Sequence, residues 1–186
     1  MSGIAKIKAT LSSRLPGLQQ AASVYAVIVL FVYGWTIYWF LWKLPSWLYF
    51  MTAPELLAVF SYSMVMNLLE SLCVLLLPVG LSLLLSERWF RDQFVARGVS
   101  LSVVLLGFLM YYSNLIAQLA GLPSYLGWLL LGVFAAAVLI VVVVGKVGFL
   151  RRGLEEISER MIIFLYLSIP ISAISLIVVM VRNLLA

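Results

Sequence analysis

Glu70 is the residue of this chain whose position most demands a chemical explanation. It sits in MVMNLLESLCVLLLPVG (64–80), one helical turn after Asn67 and among apolar residues. The other acids, Glu55, Glu87, Asp92, Glu155, Glu156 and Glu159, all fall at the ends of apolar stretches. An ionisable group held in hydrocarbon is a candidate for proton or cation handling by default, because lipid tails cannot hydrate it. The competing role is helix association, where a polar side chain bonds across spans for about 0.6 kcal/mol. Snorkelling to the surface does not suit a side chain as short as glutamate at mid-span.

At 100° per residue Ser63, Asn67 and Glu70 share a helix face, with Ser71 one turn beyond Asn67. Other apolar stretches offer polar residues at a similar depth. Tyr111, Asn114 and Gln118 share one face; Ser168, Ser172 and Ser175 share another; Tyr33, Thr36 and Tyr38 lie in the first stretch. The expected intramembrane polar cluster is therefore Asn67, Glu70, Tyr111, Asn114, Ser172 and Ser175. No basic residue reaches that depth. Desolvation without a cation favours the neutral acid, hydrogen-bonded to Asn67, Tyr111 or a serine of the fifth span, unless water or a cation enters. Cys73 reads as a packing residue, and Trp35, Trp39 and Trp42 read as lipid-facing or interfacial belt residues.

Other chemistry is missing from the pattern. The chain has no histidine and one cysteine, so metal-ligand spacing and an intrachain disulfide are both ruled out. There is no Walker-type glycine loop and no G-x-S-x-G. A lipid-modifying enzyme would need more acid, base or nucleophile candidates than the spans carry. The expectation is a protein with no catalytic activity, no cofactor and no metal.

These side chains must be positioned by membrane helices. Of the 186 residues 65% are hydrophobic and 10% charged, and the mean hydropathy is +1.17. A globule could not hide that much apolar surface, and a β-barrel would need short alternating strands rather than long continuous runs. The sequence predicts an all-α, polytopic bundle of five transmembrane helices, at about 21–44, 54–86, 99–120, 124–144 and 161–184. Residues 1–20 form an amphipathic basic segment suited to a membrane surface, an organellar transit peptide being the alternative. Residues 21–186 form the transmembrane domain. Within it, 147–161 reads as a cytoplasmic surface helix with Leu150, Leu154, Ile157 and Met161 at helical spacing.

The net charge of +5 comes from basic residues gathered in loops, not from a nucleic-acid surface. Ten of the twelve, including Arg88, Arg91, Arg97, Arg151 and Arg152, fall on one side of the five-span alternation; Lys43 and Arg182 fall on the other. The positive-inside rule puts the N-terminus in the cytoplasm and the C-terminus outside. Arg88, Arg91, Arg97, Arg151 and Arg152 are the candidate contacts for partners or lipid headgroups. The expected partners are membrane lipid and either another membrane protein or further copies of this chain, with no nucleic acid. The expected location is a bacterial plasma (inner) membrane, an organelle's inner membrane being the open alternative. Short loops and absent motifs favour an accessory, scaffold or anchoring subunit; the alternative is a small transporter, channel or pore-forming oligomer using Glu70.

Overall fold

The structure is a computed structural model that describes residues 15–85, 93–118 and 125–185. The basic segment through Arg14, the turn carrying Arg88 and Arg91, and residues 119–124 lie outside the described residues. The described chain is all α-helix: α1 (Leu18–Trp47), α2 (Ala53–Leu84), α3 (Phe94–Gln118), α4 (Leu126–Lys146), α5 (Gly148–Arg160) and α6 (Ile163–Leu185). Five of them, all but α5, are long and apolar enough to cross a membrane, which is the architecture of a multi-pass membrane protein.

The helices form where local sequence favours them. Ahead of α2, Thr52 opens the helix and Glu55 reaches back, its Oε2 accepting from the Thr52 backbone N–H at 2.7 Å and from Thr52 Oγ1 at 2.9 Å. That satisfies one backbone N–H that a helix start leaves exposed and fixes the Thr52 hydroxyl beside it. Gln20 does the same for the Gly17 N–H at 3.1 Å. α1 runs through Pro45, and hydrogen bonding continues to Leu48 and Met51, so the expected end near Leu44 moves into the interfacial segment. At 1.5 Å per residue α1 and α2 are about 45 and 48 Å long, more than the ~30 Å of a hydrocarbon core.

α1 is the centre of the bundle. It packs against α2 and α3 along much of its length and against α5 and α6 over less of it. From Ser23 to Val29 only Tyr25 is incompletely buried, and Val32 and Tyr33 continue the core. A helix covered on all sides has no amphipathic face to display. Gly98 of α3 lets three helices meet: a Cβ there would lie 3.2 Å from Val24 of α1 and 3.5 Å from Pro78 of α2. α4 is peripheral, resting chiefly on α3; 11% of its most apolar stretch is buried, against 44% for α3.

Between α4 and α6, α5 is a separate, shorter helix with both charged and apolar residues. Leu154 and Met161 pack on the core while Leu150 and Ile157 stay exposed. Arg151 pairs with Glu155 at 3.6 Å and Arg160 with Glu156, both at i,i+4. Being half-exposed or more, such pairs are worth only a few tenths of a kcal/mol.

The three-helix contact sets a stability test. Gly98→Leu forces a side chain between Val24 and Pro78 and is expected to cost about 1–3 kcal/mol. Gly107→Leu, at a site with nothing within 4 Å, is expected to leave stability unchanged. Thermal unfolding of the detergent-solubilised proteins would compare them.

Candidate functional site

Around the middle of the bundle, one set of polar side chains is buried and joins helices and another lies outward beside a cleft. Within the buried set, Tyr33 of α1 and Ser172 of α6 share a hydrogen bond of 2.6 Å. Thr36 Oγ1 of α1 donates to Asn67 Oδ1 of α2 at 2.8 Å. Tyr25 and Ser71 join the same two helices at 3.2 Å, closer to the end where α1 begins. Ser168, Ser172 and Ser175 are all buried, so the serine face of α6 is its packing face. Small residues let helices approach, and hydroxyls then bond across the seam.

Glu70 is not in that set. It lies on the exposed face of α2, roughly 25 Å of helix from Ala53 and roughly 21 Å from Leu84. Among the described residues its carboxylate accepts no hydrogen bond and meets no cation. It opens instead onto a cleft of about 330 Å³, floored by Val32, Trp35 and Thr36 of α1 and walled by α3, including Leu106, Met110, Tyr112 and Ser113. The cleft exists because α2 and α3 touch each other less than either touches α1. The residues with polar groups that line it are Glu70, Trp35, Tyr112, Thr36 and Ser113, the last two with their hydroxyl protons committed to Asn67 Oδ1 and the Met110 carbonyl. Asn67 is 4% exposed, and its Nδ2 has no acceptor among the described residues.

The residues expected to form one cluster thus fall in two places. Asn67, Ser172 and Ser175 are buried between helices, whereas Glu70, Tyr111 and Asn114 are exposed, Tyr111 by 62%. Tyr112 and Ser113, not Tyr111 and Asn114, bring α3 polarity to Glu70. Leu106, Met110 and Ser113 share that side of α3 by helical spacing, but apolar residues on the other sides left nothing in the sequence to single it out. Trp35 is half-buried in the cleft rather than facing lipid, because α1 is turned by its packing on both α2 and α3.

The basic candidates are also spread. Arg97 falls in the first turn of α3 and is buried, its guanidinium so close to α4 that a Cβ at Gly145 would collide with it. Arg151 is half-exposed and Arg152 exposed on α5. Arg88 and Arg91 lie outside the described residues.

What the arrangement can do chemically is narrow: one carboxylate, with hydroxyls and aromatic rings beside it, can accept hydrogen bonds or hold a single positive charge. Among the described residues no group of three or more His, Cys, Asp or Glu side chains could hold a metal. Comparison with known proteins gives no lead, since no family model, curated protein or solved structure matches the chain.

The buried pairs predict a graded effect. Tyr33→Phe deletes a buried interhelical bond and is expected to lower stability by about 0.6 kcal/mol and at most about 1.7 kcal/mol. Tyr62→Phe removes the exposed bond to Asn183 and is expected to cost less. Unfolding in a titration of denaturing detergent would measure the difference.

Proposed function

We propose that this chain is a non-catalytic integral membrane protein that serves as an accessory, scaffold or anchoring subunit of a membrane assembly. The observation that carries the reading is the unpartnered, outward-facing Glu70 at mid-depth of α2. On insertion scales an acid at the centre of a spanning helix costs roughly 3 kcal/mol. Lipid tails cannot offset that, and no described residue donates a hydrogen bond to the carboxylate or pairs a cation with it. A partner that completes the site from outside does so at no cost to the fold, because the buried pairs already hold α1, α2 and α6 together.

The orientation we assign has the N-terminus in the cytoplasm and the C-terminus outside. Support comes from the ten-to-two distribution of basic residues between the two sides. The membrane we assign is the bacterial plasma (inner) membrane. Lipid covers the exposed apolar faces of α4 and α6, and the basic side of the protein, with Arg151 and Arg152 on α5, meets headgroups or a partner.

A second reading is favoured by the cleft itself: a small transporter, channel or pore-forming oligomer with Glu70 in its polar path. The two separate on function. Under the assembly reading, purification from native membranes yields a partner in fixed stoichiometry, and Glu70→Leu reduces its recovery severalfold while the protein still elutes as a monodisperse species. A solitary monomer overturns the reading. Under the transport reading, proteoliposomes of the purified chain support ion or solute flux that Glu70→Gln abolishes; absence of flux removes it.

A further inference from the structure

The unanswered question at Glu70 is what kind of group completes it. Around it, α2 presents an exposed column at helical spacing, Met66, Leu69, Glu70, Cys73 and Leu77, alongside the gap that separates α2 from α3. The column is apolar except at Glu70, and the cleft opens beside that one residue.

The cleft's chemistry suits a cation. Trp35 and Tyr112 bring aromatic rings to it, and each is braced along its own helix. Trp35 stacks on Tyr38 at 6.0 Å, and Tyr112 stacks on Phe108 at 5.8 Å. A carboxylate with fixed rings nearby attracts an ammonium or guanidinium, and the attraction strengthens once water is excluded. A small inorganic ion is a poor fit, since one carboxylate cannot replace the six or more oxygens of a hydrated hard cation.

Size and charge then restrict the source. A volume of about 330 Å³ is too small for a helix and large enough for one long side chain. The helix carrying that side chain would therefore lie outside, along the exposed column. A second copy of this chain cannot supply the charge. Its basic residues within the membrane helices are Lys43, Arg97, Lys146 and Arg182, every one within about a turn of a helix end. Neither a parallel nor an antiparallel copy brings any of them to mid-depth.

We propose that the cleft beside Glu70 receives a lysine or arginine side chain from a membrane-spanning helix of a different protein, seated along the Met66–Glu70–Leu77 face of α2. The inference rests on the assembly reading and names the chemistry of the partner. The ion pair is formed only in the complex, where the partner's cation stabilises the carboxylate that lipid alone would not.

Photo-crosslinking in native membranes tests it, with p-benzoylphenylalanine in place of Met66, an exposed position one turn from Glu70. The expected product joins α2 to a spanning segment of another protein that carries Lys or Arg within about one turn of the cross-link. Glu70→Asp is expected to keep most of the yield. Glu70→Gln, which keeps the shape and the hydrogen bonding but not the charge, is expected to lower it at least tenfold while the protein remains monodisperse. A cross-linked span without a basic residue at that depth overturns the inference and leaves the assembly reading standing. So does an undiminished yield with Glu70→Gln. Cross-links to lipid or to copies of this chain, with no partner copurifying, remove both.

Discussion

Everything in this bundle depends on the enclosure of one end of α1. Between Ser23 and Tyr33 the helix is covered from nearly every direction, and α2, α3, α5 and α6 are each placed by the side of it they cover. Backbone groups in a bilayer must be satisfied within each helix, so the elements are rigid rods before they meet. What remains for packing to decide is which rod lies where and how each is turned. Small residues answer the first question, with Gly98 allowing α1, α2 and α3 to converge and Gly145 admitting the Arg97 side chain between α3 and α4. Hydroxyls and one carboxamide answer the second, since each cross-helix bond is possible at only a narrow range of rotations.

The same constraint produces the cleft. α2 and α3 are committed to α1 rather than to each other, so a space is left where α1 begins to lose its cover. Beyond Tyr33, Gly34, Ile37, Tyr38 and Leu41 of α1 are exposed, and Trp35, Tyr38 and Trp42 stack along the helix while Phe40 meets Phe60 of α2. Glu70 stands at that transition. The enclosed part of the bundle is held by packing and cross-helix hydrogen bonds, and the open part carries Glu70, the acid at the middle of α2. The packing that holds the bundle and the candidate site therefore occupy different parts of the molecule.

Much of this was legible in the residues themselves. Long apolar runs imply helices because lipid leaves the backbone no other partner, and the runs at 21–44 through 161–184 correspond to α1, α2, α3, α4 and α6. The 3.6-residue spacing of Leu150, Leu154, Ile157 and Met161 was enough to mark α5 as a helix separate from the long apolar ones. Serine faces were legible too: Ser168, Ser172 and Ser175 share one side of α6, and that side is buried. Rotation was not legible for α2 and α3. Almost every face of those helices is apolar, so hydropathy carries no instruction about which side turns inward.

For that reason the sequence by itself determined the class of protein, the number of long apolar helices, and the presence of an acid at mid-span without a cation of its own. Each follows from composition and period, which act locally along the chain. Only the tertiary structure decided that Asn67 and Ser172 are spent on holding helices together while Glu70 faces out with Tyr112 and Ser113 beside it. That division depends on the rotation of three helices around α1, and rotation is set by side chains meeting across the seams: Thr36 on Asn67, Tyr33 on Ser172, Gly98 against Val24. Those meetings join residues up to 139 positions apart in the chain, beyond the reach of any local pattern.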